Sequence, residues 1–166
     1  MITTASQALW FLPAVIPICL YVAWSDMAKM IIPNKAVYAL VLAFAVLGLL
    51  ALPFTEYLWR WTHLVVVLVI GIALNAAGAM GAGDAKFAAA AAPFIAGGDL
   101  RLLIAVFAAN LIAAFATHRL ARHTVLRRLA PHWKSWSSGW AFPAGLSLGA
   151  TLGIYLILGA LYGVQG

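Results

Sequence analysis

Residues 62–86 read THLVVVLVIGIALNAAGAMGAGDAK, an apolar run that ends in a glycine-rich acidic motif. Positions 62–80 contain no Asp, Glu, Lys or Arg. A transmembrane helix requires about 20 mostly apolar residues. The stretch therefore predicts a membrane-spanning helix, with one acidic residue, Asp84, just beyond its end.

The whole chain has the composition of a protein whose main solvent is lipid. Of its 166 residues, 66% are hydrophobic and only 8% are charged, whereas about a quarter are charged in a typical soluble domain. We expect an all-α, polytopic membrane protein that forms one integral-membrane domain over residues 1–166. The predicted spans are 9–24, 36–52, 62–80, 85–96, 102–118 and 140–162. The first seven residues contain no Lys or Arg, so the first run is expected to be a retained span rather than a signal peptide.

The basic residues predict the orientation of these spans. If the short fourth segment were a re-entrant hairpin, the basic residues between positions 119 and 134 would move to the far side. With six crossings, one side holds only Arg60 and Arg101. The positive-inside rule favours this arrangement, with both termini outside and a basic cytoplasmic loop over about 119–138. The basic side then holds Lys29, Lys35, Lys86, Arg119, Arg122, Arg127, Arg128 and Lys134.

The basic loop also contains His132, Trp133, Trp136 and Trp140. Mixed basic and indole residues next to a span are typical of the lipid headgroup region. The loop is therefore expected to be an interfacial anchor, and the alternative is a docking surface for a partner.

Charge and cysteine content exclude some partners and cofactors. The formal net charge is +6, but the basic residues are separated by apolar runs and form no continuous basic face, so no nucleic-acid partner is expected. Cys19 is the single cysteine, which excludes a disulfide framework within the chain and a multi-cysteine metal site. We expect neither a metal nor another cofactor.

The chain has four acidic residues, and two of them are functional candidates. Glu56 and Asp99 fall in the predicted external loops, where solvated acids need no special role. Asp26 and Asp84 each lie where a span meets the cytoplasmic face, and an ionisable group at membrane depth is a functional candidate because it is costly there. The predicted topology places both on one side at similar depth, as a two-carboxylate site requires.

Asp84 lies in the motif GAGDAK at residues 81–86. Gly81 and Gly83 allow backbone conformations closed to other residues, and they allow a second chain to approach the acid closely. The alternative is a flexible connection between spans with an incidental acid. Lys86 either raises the local positive potential or anchors the chain on the cytoplasmic side.

Asp26 lies in WSDMAKMIIPN at residues 24–34. A structural alternative pairs Asp26 with Lys29 at the cytoplasmic rim. Pro33 opens the second span, and Asn34 is expected to cap that span through its side chain.

The two motifs together resemble the prepilin peptidase family. The resemblance rests on D-x5-IPN at residues 26–34 after the first span and G-x-G-D-x-K at residues 81–86 after the third, and on the six-span frame. The late segment FPAGL, residues 142–146, is similar to a Pro/Gly stretch near the end of such proteins. The resemblance implies a membrane aspartyl endopeptidase of the Gly-x-Gly-Asp class, with Asp26 and Asp84 as the catalytic pair. The short chain resembles the peptidases of tight-adherence (Flp-type) pilus systems.

The resemblance also implies a substrate and a location. Such enzymes remove the short basic leader from prepilin-like and pseudopilin precursors at the cytoplasmic face of the bacterial inner membrane. The implied partners are these precursors, the lipid bilayer, and pilus or secretion assembly proteins. Longer family members carry paired Cys-x-x-Cys motifs and also N-methylate the new terminus. Because this sequence has only Cys19, we expect peptidase activity without methyl transfer.

Two other functions fit the same acidic residues. A small membrane transporter or channel subunit would use Asp26 and Asp84 as ion sites, and a non-catalytic secretion-system scaffold would not depend on them. Against the transporter, both acids lie at span ends rather than at the midplane, and the two halves of the sequence show no internal repeat.

Overall fold

Six α-helices form the protein, in the order that the apolar runs predict. The computed structural model describes residues 1–138 and 141–164, and this part of the chain contains no strand. The prediction of an all-α, polytopic membrane protein is confirmed. The helices are α1 (Ala5–Lys29), α2 (Asn34–Ala51), α3 (Phe54–Ala76), α4 (Ala82–Ala91), α5 (Leu100–Arg122) and α6 (Ala144–Tyr162), and 3-10 turns lie at Ala92–Phe94, Gly97–Asp99, Val125–Leu129 and Lys134–Trp136.

The fourth helix is short, but together with the 3-10 turns that follow it the chain runs from one end of the bundle to the other. Among the described residues, five helices are long and apolar enough to cross a membrane, and α4, with ten residues, is not one of them. Asp84, at the start of α4, lies near Asp26. Asp99, beyond its end, instead contacts the backbone of Ile2 and Thr3. The fourth segment therefore connects opposite ends of the bundle and is not a re-entrant hairpin.

Helices α1 and α6 pack closely in antiparallel directions. A Cβ atom at Gly149 would lie 2.9 Å from the carbonyl oxygen of Cys19. At the far end of the pair, the backbone N–H of Ala5 donates to the carbonyl of Val164 at 3.2 Å, so both termini lie at one end of the bundle. Small residues allow this close approach, which drives helix association in lipid. The α6 glycines that contact α1 are Gly145, Gly149, Gly153 and Gly159.

An aromatic cluster joins the first two helices to the fourth segment. Phe94 lies edge-on to Phe11 and to Phe44, with ring centroids 5.0 and 5.3 Å apart respectively. Phe44 also stacks on Tyr57 of α3 at 5.6 Å. All three phenylalanine side chains are fully buried. Edge-to-face aromatic pairs stabilise a core by more than the burial of their surface area alone. This cluster therefore fixes the turn that follows α4.

Asp99 lies in a connection between helices, as predicted, but it is buried, so the expectation of a solvated acid is wrong. Its side chain is 4% exposed. It accepts hydrogen bonds from the backbone N–H groups of Ile2 and Thr3 at 2.6 and 3.0 Å, and from the Tyr155 hydroxyl at 2.9 Å. The carboxylate therefore clamps the N-terminal segment to α6. Its role is structural.

Glu56 also departs from its predicted place in an external loop. Helix α3 begins at Phe54, eight residues before the predicted span, and Glu56 lies in its first turn. Its carboxylate accepts from Arg60 at 2.6 Å, and the 2%-exposed Arg60 also donates to the carbonyl of Pro93. An ion pair four residues apart is compatible with a helix. Glu56 and Arg60 were predicted to lie in a loop outside the span, whereas they neutralise each other inside α3.

The basic loop is folded against the bundle. Helix α5 extends four residues into the predicted loop. Trp136 is buried; it stacks on His118 with ring centroids 5.1 Å apart, and its Nε1 donates to the carbonyl of Ala130 at 2.8 Å. Trp133 stacks on Trp136 in turn. The expectation of an interfacial anchor is therefore wrong for Trp136, and Trp140 lies outside the described residues.

Candidate active site

Asp26 lies in the last turn of α1, just before a sharp reversal of the chain. Met30, the residue after the helix, has φ 57°, a left-handed conformation that is uncommon outside glycine. Its N–H donates to the carbonyl of Asp26 at 2.8 Å, and the Ser25 hydroxyl donates to the carbonyl of Ile31 at 3.0 Å. These two bonds hold residues 31–34 against the end of α1, where the Asp26 side chain is 6% exposed.

The Asp26 carboxylate is held by the start of α6. The N–H of Gly145, the second residue of α6, donates to Oδ2 of Asp26 at 2.7 Å. The first N–H groups of a helix have no partner within the helix, and its dipole favours a negative charge there. A Cβ at residue 145 would lie 2.9 Å from Oδ2, so only glycine fits without displacement. Residues 142–146 were identified as part of the family resemblance, but no role was predicted for Gly145.

Asp84 is placed by the start of α4. Gly81 precedes the helix as its N-cap, and Asp84 is the third helical residue. The Asp84 carboxylate accepts from the Gly81 N–H, which is the reach-back contact of a capping box. Gly81 has φ −65° and ψ 143°, values open to any residue. Gly83 lies inside α4 and has no positive φ. The expectation of an unusual backbone conformation is therefore wrong for both glycines. At residue 81 glycine is needed for space, because a Cβ there would lie 2.7 Å from Asp84 Oδ2.

The two sequence motifs contact each other. A Cβ at Gly83 would lie 3.3 Å from the Cβ of Ile32, so the start of α4 packs closely on the segment that follows α1. The Lys86 ammonium donates to Oδ1 of Asn34 at 3.5 Å. Asn34 was expected to cap α2, but it is the first helical residue, and the N-cap is Pro33, which makes no side-chain cap bond. Asn34 therefore links the motifs instead of capping its helix.

The two carboxylates are close enough to interact electrostatically. The pKa of Asp84 is raised to about 6, chiefly by burial and then by the negative charge of Asp26, while the hydrogen bond from Gly81 acts in the opposite direction. The structural alternative paired Asp26 with Lys29. The Lys29 ammonium instead lies over Trp24, 5.5 Å from the centroid of its ring. The arrangement is a carboxylate pair at one end of the bundle, in which Asp26 is buried and Asp84 is partly buried.

Comparison with known proteins identifies the family of the chain. A family model described as the type IV leader peptidase family matches residues 14–118, more than half of the chain. The chain belongs to this family. The match includes both Asp26 and Asp84 and confirms the resemblance to prepilin peptidases. No curated protein and no solved structure matches the chain.

Family membership makes the protein a type IV leader peptidase-like protease, and its apolar helices make it a multi-pass membrane protein. Gly145 lies outside the matched residues, so its bond to Asp26 is known from the structure alone. Within residues 1–138 and 141–164, no group of three or more His, Cys, Asp or Glu side chains could hold a metal ion.

Proposed function

We propose that this peptidase is an aspartyl endopeptidase that removes the short basic leader from prepilin-like precursors, with Asp26 and Asp84 as its catalytic pair. The observation that carries the proposal is that the start of α4 packs on the segment after α1, through Gly83 and Ile32, and thereby brings Asp84 near Asp26. Structural acids elsewhere in the chain have different surroundings: Glu56 has a cationic partner, and Asp99 accepts three hydrogen bonds.

Charge asymmetry supports a site at the cytoplasmic face of the bacterial inner membrane. Lys29 follows Asp26, and Lys86 follows Asp84. The basic loop precedes α6, whose first turn contacts Asp26. Eight of the ten basic residues thus belong to the end of the bundle that carries the site. Under the positive-inside rule this end is cytoplasmic, and both termini lie outside.

The carboxylate pair supplies a base and an acid. Two adjacent carboxylates do not both ionise readily, so one of them holds a proton. We assign this proton to Asp84 and the negative charge to Asp26. Oδ2 of Asp26 accepts the Gly145 N–H at 2.7 Å, at the start of a helix, where the dipole favours a negative charge.

Hydrolysis then follows from these protonation states. Asp26 takes a proton from a water molecule, whose oxygen attacks the carbonyl carbon of the scissile peptide bond. Protonated Asp84 donates a hydrogen bond to the carbonyl oxygen and stabilises the negative charge that develops there. The C–N bond breaks as the proton on Asp26 passes to the leaving nitrogen. The products are a carboxyl group on the leader and a free amine on the mature protein.

The remaining motif residues are proposed to position the pair. Gly81 leaves room for the Asp84 carboxylate, and Gly83 allows α4 to pack on the segment after α1. Pro33 starts α2, and the bond from Lys86 to Asn34 ties α2 to α4. These contacts hold two acids that are 58 residues apart in sequence (84 − 26) at one site.

The test is co-expression with a prepilin-like precursor, scored by the size of the precursor on an immunoblot. Asp84→Asn keeps the side-chain size and removes the titrating group. We expect it to accumulate in the membrane like the wild type and to leave the precursor uncut. Normal cleavage by this variant would refute the aspartyl mechanism.

A further inference from the structure

A large apolar cavity lies beside the fourth segment. It has a volume of about 630 Å³ and is lined by residues of α3, α4, α5 and α6 and of the turns that follow α4. Helix α3 packs mainly on α4, and α5 packs mainly on α6. The cavity therefore separates α3 from α5. Val66 on α3 and Ile104 on α5 both line it and are 54% and 58% exposed. The cavity thus opens sideways, towards the bilayer.

This cavity, which we call the α3–α5 groove, begins at the catalytic end of the bundle. Phe87, Ala88 and Ala91 of α4 line it, and so does Ile95 just beyond the helix. Residues three and four apart lie on one face of a helix, so Asp84, which does not itself line the groove, precedes these residues in the same row. Met80, immediately before the glycine motif, lines the groove as well. The groove therefore leads from Asp84 along α4 into the membrane.

The lining favours an apolar helix as the occupant. His63 is the one ionisable side chain among the lining residues, so a charged ligand would lose its hydration without gaining partners. A peptide in lipid must satisfy its backbone internally and is therefore helical. Small side chains allow another helix to approach closely. The groove is lined on its α4 side by Ala88, Ala91, Ala92, Ala96 and Gly97.

We propose that the α3–α5 groove seats the apolar helix of the substrate that directly follows the scissile bond. The inference rests on the proposed function, because Asp84 marks where the bond is cut. The leader then stays at the basic end of the bundle, while the segment after the cut enters the groove sideways from the bilayer. From Asp84 to Phe94, the α-helical and 3-10 rises give a path of about 16 Å, or about 11 residues of substrate helix.

Photo-crosslinking tests where the substrate lies. The probe is p-benzoylphenylalanine, placed at Val66 in the Asp84→Asn variant so that uncut precursor stays bound. Val69 is the matched control, because it is an exposed valine on α3 that does not line the groove. We expect cross-links from position 66, and not from position 69, to the first 11 or so residues after the cleavage site. Cross-links from position 66 to lipid alone would overturn the proposal.

Kinetics test whether the groove contributes to binding. Ala88→Phe fills the groove with an aromatic ring, and Ala105→Phe is the control on an exposed α5 position outside it. We expect Ala88→Phe to raise KM about tenfold for a full precursor while kcat changes little, since only binding is lost. A short peptide that ends a few residues after the cut should be unaffected. An equal loss of kcat on both substrates would overturn the proposal.

These outcomes are separable from failure of the proposed function. If the wild-type protein cleaves no prepilin-like precursor, the proposed function fails whatever the cross-links show. If the wild type cleaves and position 66 cross-links no better than position 69, the groove assignment alone fails.

Discussion

The backbone N–H of Gly145 donates a 2.7 Å hydrogen bond to Oδ2 of Asp26, although 119 residues separate the two. The bond brings the first turn of α6 to a carboxylate at the end of α1. It fixes where that oxygen points, at the start of a helix whose dipole favours a negative charge. A Cβ at residue 145 would lie within 3.1 Å of three Asp26 atoms, so the contact depends on glycine.

Gly145→Ala is predicted to impair cleavage strongly while the protein still inserts. The added methyl group must displace the Asp26 carboxylate, and a misplacement on the order of 1 Å can reduce a rate about a hundredfold. The measurement is the initial rate of precursor cleavage by purified protein in detergent. Gly153→Ala is the matched control, because its Cβ would meet only the flexible end of Ile16, at 3.2 Å. Equal rates for the two variants would contradict the role given to Gly145.

Asp26→Asn and Asp84→Asn are each predicted to reduce cleavage on the order of 10⁴-fold, and the double variant is predicted to be no worse than either. Residues that share one proton and one water act as a unit, so their losses do not add. Asp26→Glu should also fail largely, because the longer side chain displaces the carboxylate. Enzyme levels are checked by immunoblot. Additive losses in the double variant would show that the two acids act independently.

Asp26→Asn is predicted to lower the pKa of Asp84. The pKa of Asp84 is raised to about 6 partly by the charge of Asp26, and an amide removes that repulsion. Burial remains, so the pKa should stay above its ordinary value. The measurement is a titration of ¹³C-labelled aspartate carboxyl groups by NMR. An unchanged Asp84 titration would mean that the acids are not coupled.

The raised pKa also predicts the direction of two pH effects. Folded Asp84 binds its proton more tightly than the unfolded chain, so its contribution to stability is complete below pH 3.8 and is lost as pH rises through about 6. Cleavage needs the same proton, so kcat/KM should fall as pH rises through the same region. The fall in kcat should occur at a higher pH than the fall in kcat/KM, because bound substrate excludes more water from Asp84. Rates that rise steadily from pH 5 to about 8 would contradict a protonated Asp84.

Asp99→Ala is predicted to destabilise the fold without affecting the chemistry. It leaves the N–H groups of Ile2 and Thr3 without their acceptor and removes one partner of the Tyr155 hydroxyl, and each unsatisfied buried group costs about 1–3 kcal/mol. Thermal unfolding in detergent should show a lower Tm. The Tm of Asp99→Asn, which keeps one acceptor oxygen, should lie between the Tm of Asp99→Ala and that of the wild type. Full loss of cleavage by well-folded Asp99→Ala protein would assign Asp99 to the site instead.

Single cysteines are predicted to label from opposite faces of the membrane. Thr55 lies at the start of α3 and Ser137 in the basic loop, and both are exposed. Cys19 is buried and is replaced by alanine in the background. A membrane-impermeant maleimide should reach Thr55→Cys in intact cells and Ser137→Cys only after permeabilisation. Labelling of both in intact cells would overturn the orientation on which the cytoplasmic site rests.

Sequence alone predicted the helices and the family because those signals are local. An apolar run needs no partner to be recognised, and the motifs at residues 26–34 and 81–86 are short. The predicted start of α3 was wrong because two charged residues neutralise each other within the helix. Glu56 and Arg60 were interpreted as a loop, although they pair within α3.

Contacts between distant residues could not be predicted. Nothing near Asp99 in sequence indicates that the N-terminal backbone folds over it, and nothing near Gly145 indicates Asp26. Such contacts depend on how α1 and α6 pack, which the apolar pattern leaves open. The catalytic roles of Asp26 and Asp84 stay predictions until the variants are measured.

The antiparallel pairing of α1 with α6 also sets an order of events during biosynthesis. The ribosome delivers Asp26 to the membrane long before it makes Gly145, so the carboxylate first enters the bilayer boundary without its backbone donor. Until α6 is inserted, an unpartnered acid there is costly, and the nascent chain holds an incomplete protease. With Asp26 in its proposed catalytic role, we expect activity to begin only when α6 has docked and supplied the Gly145 donor.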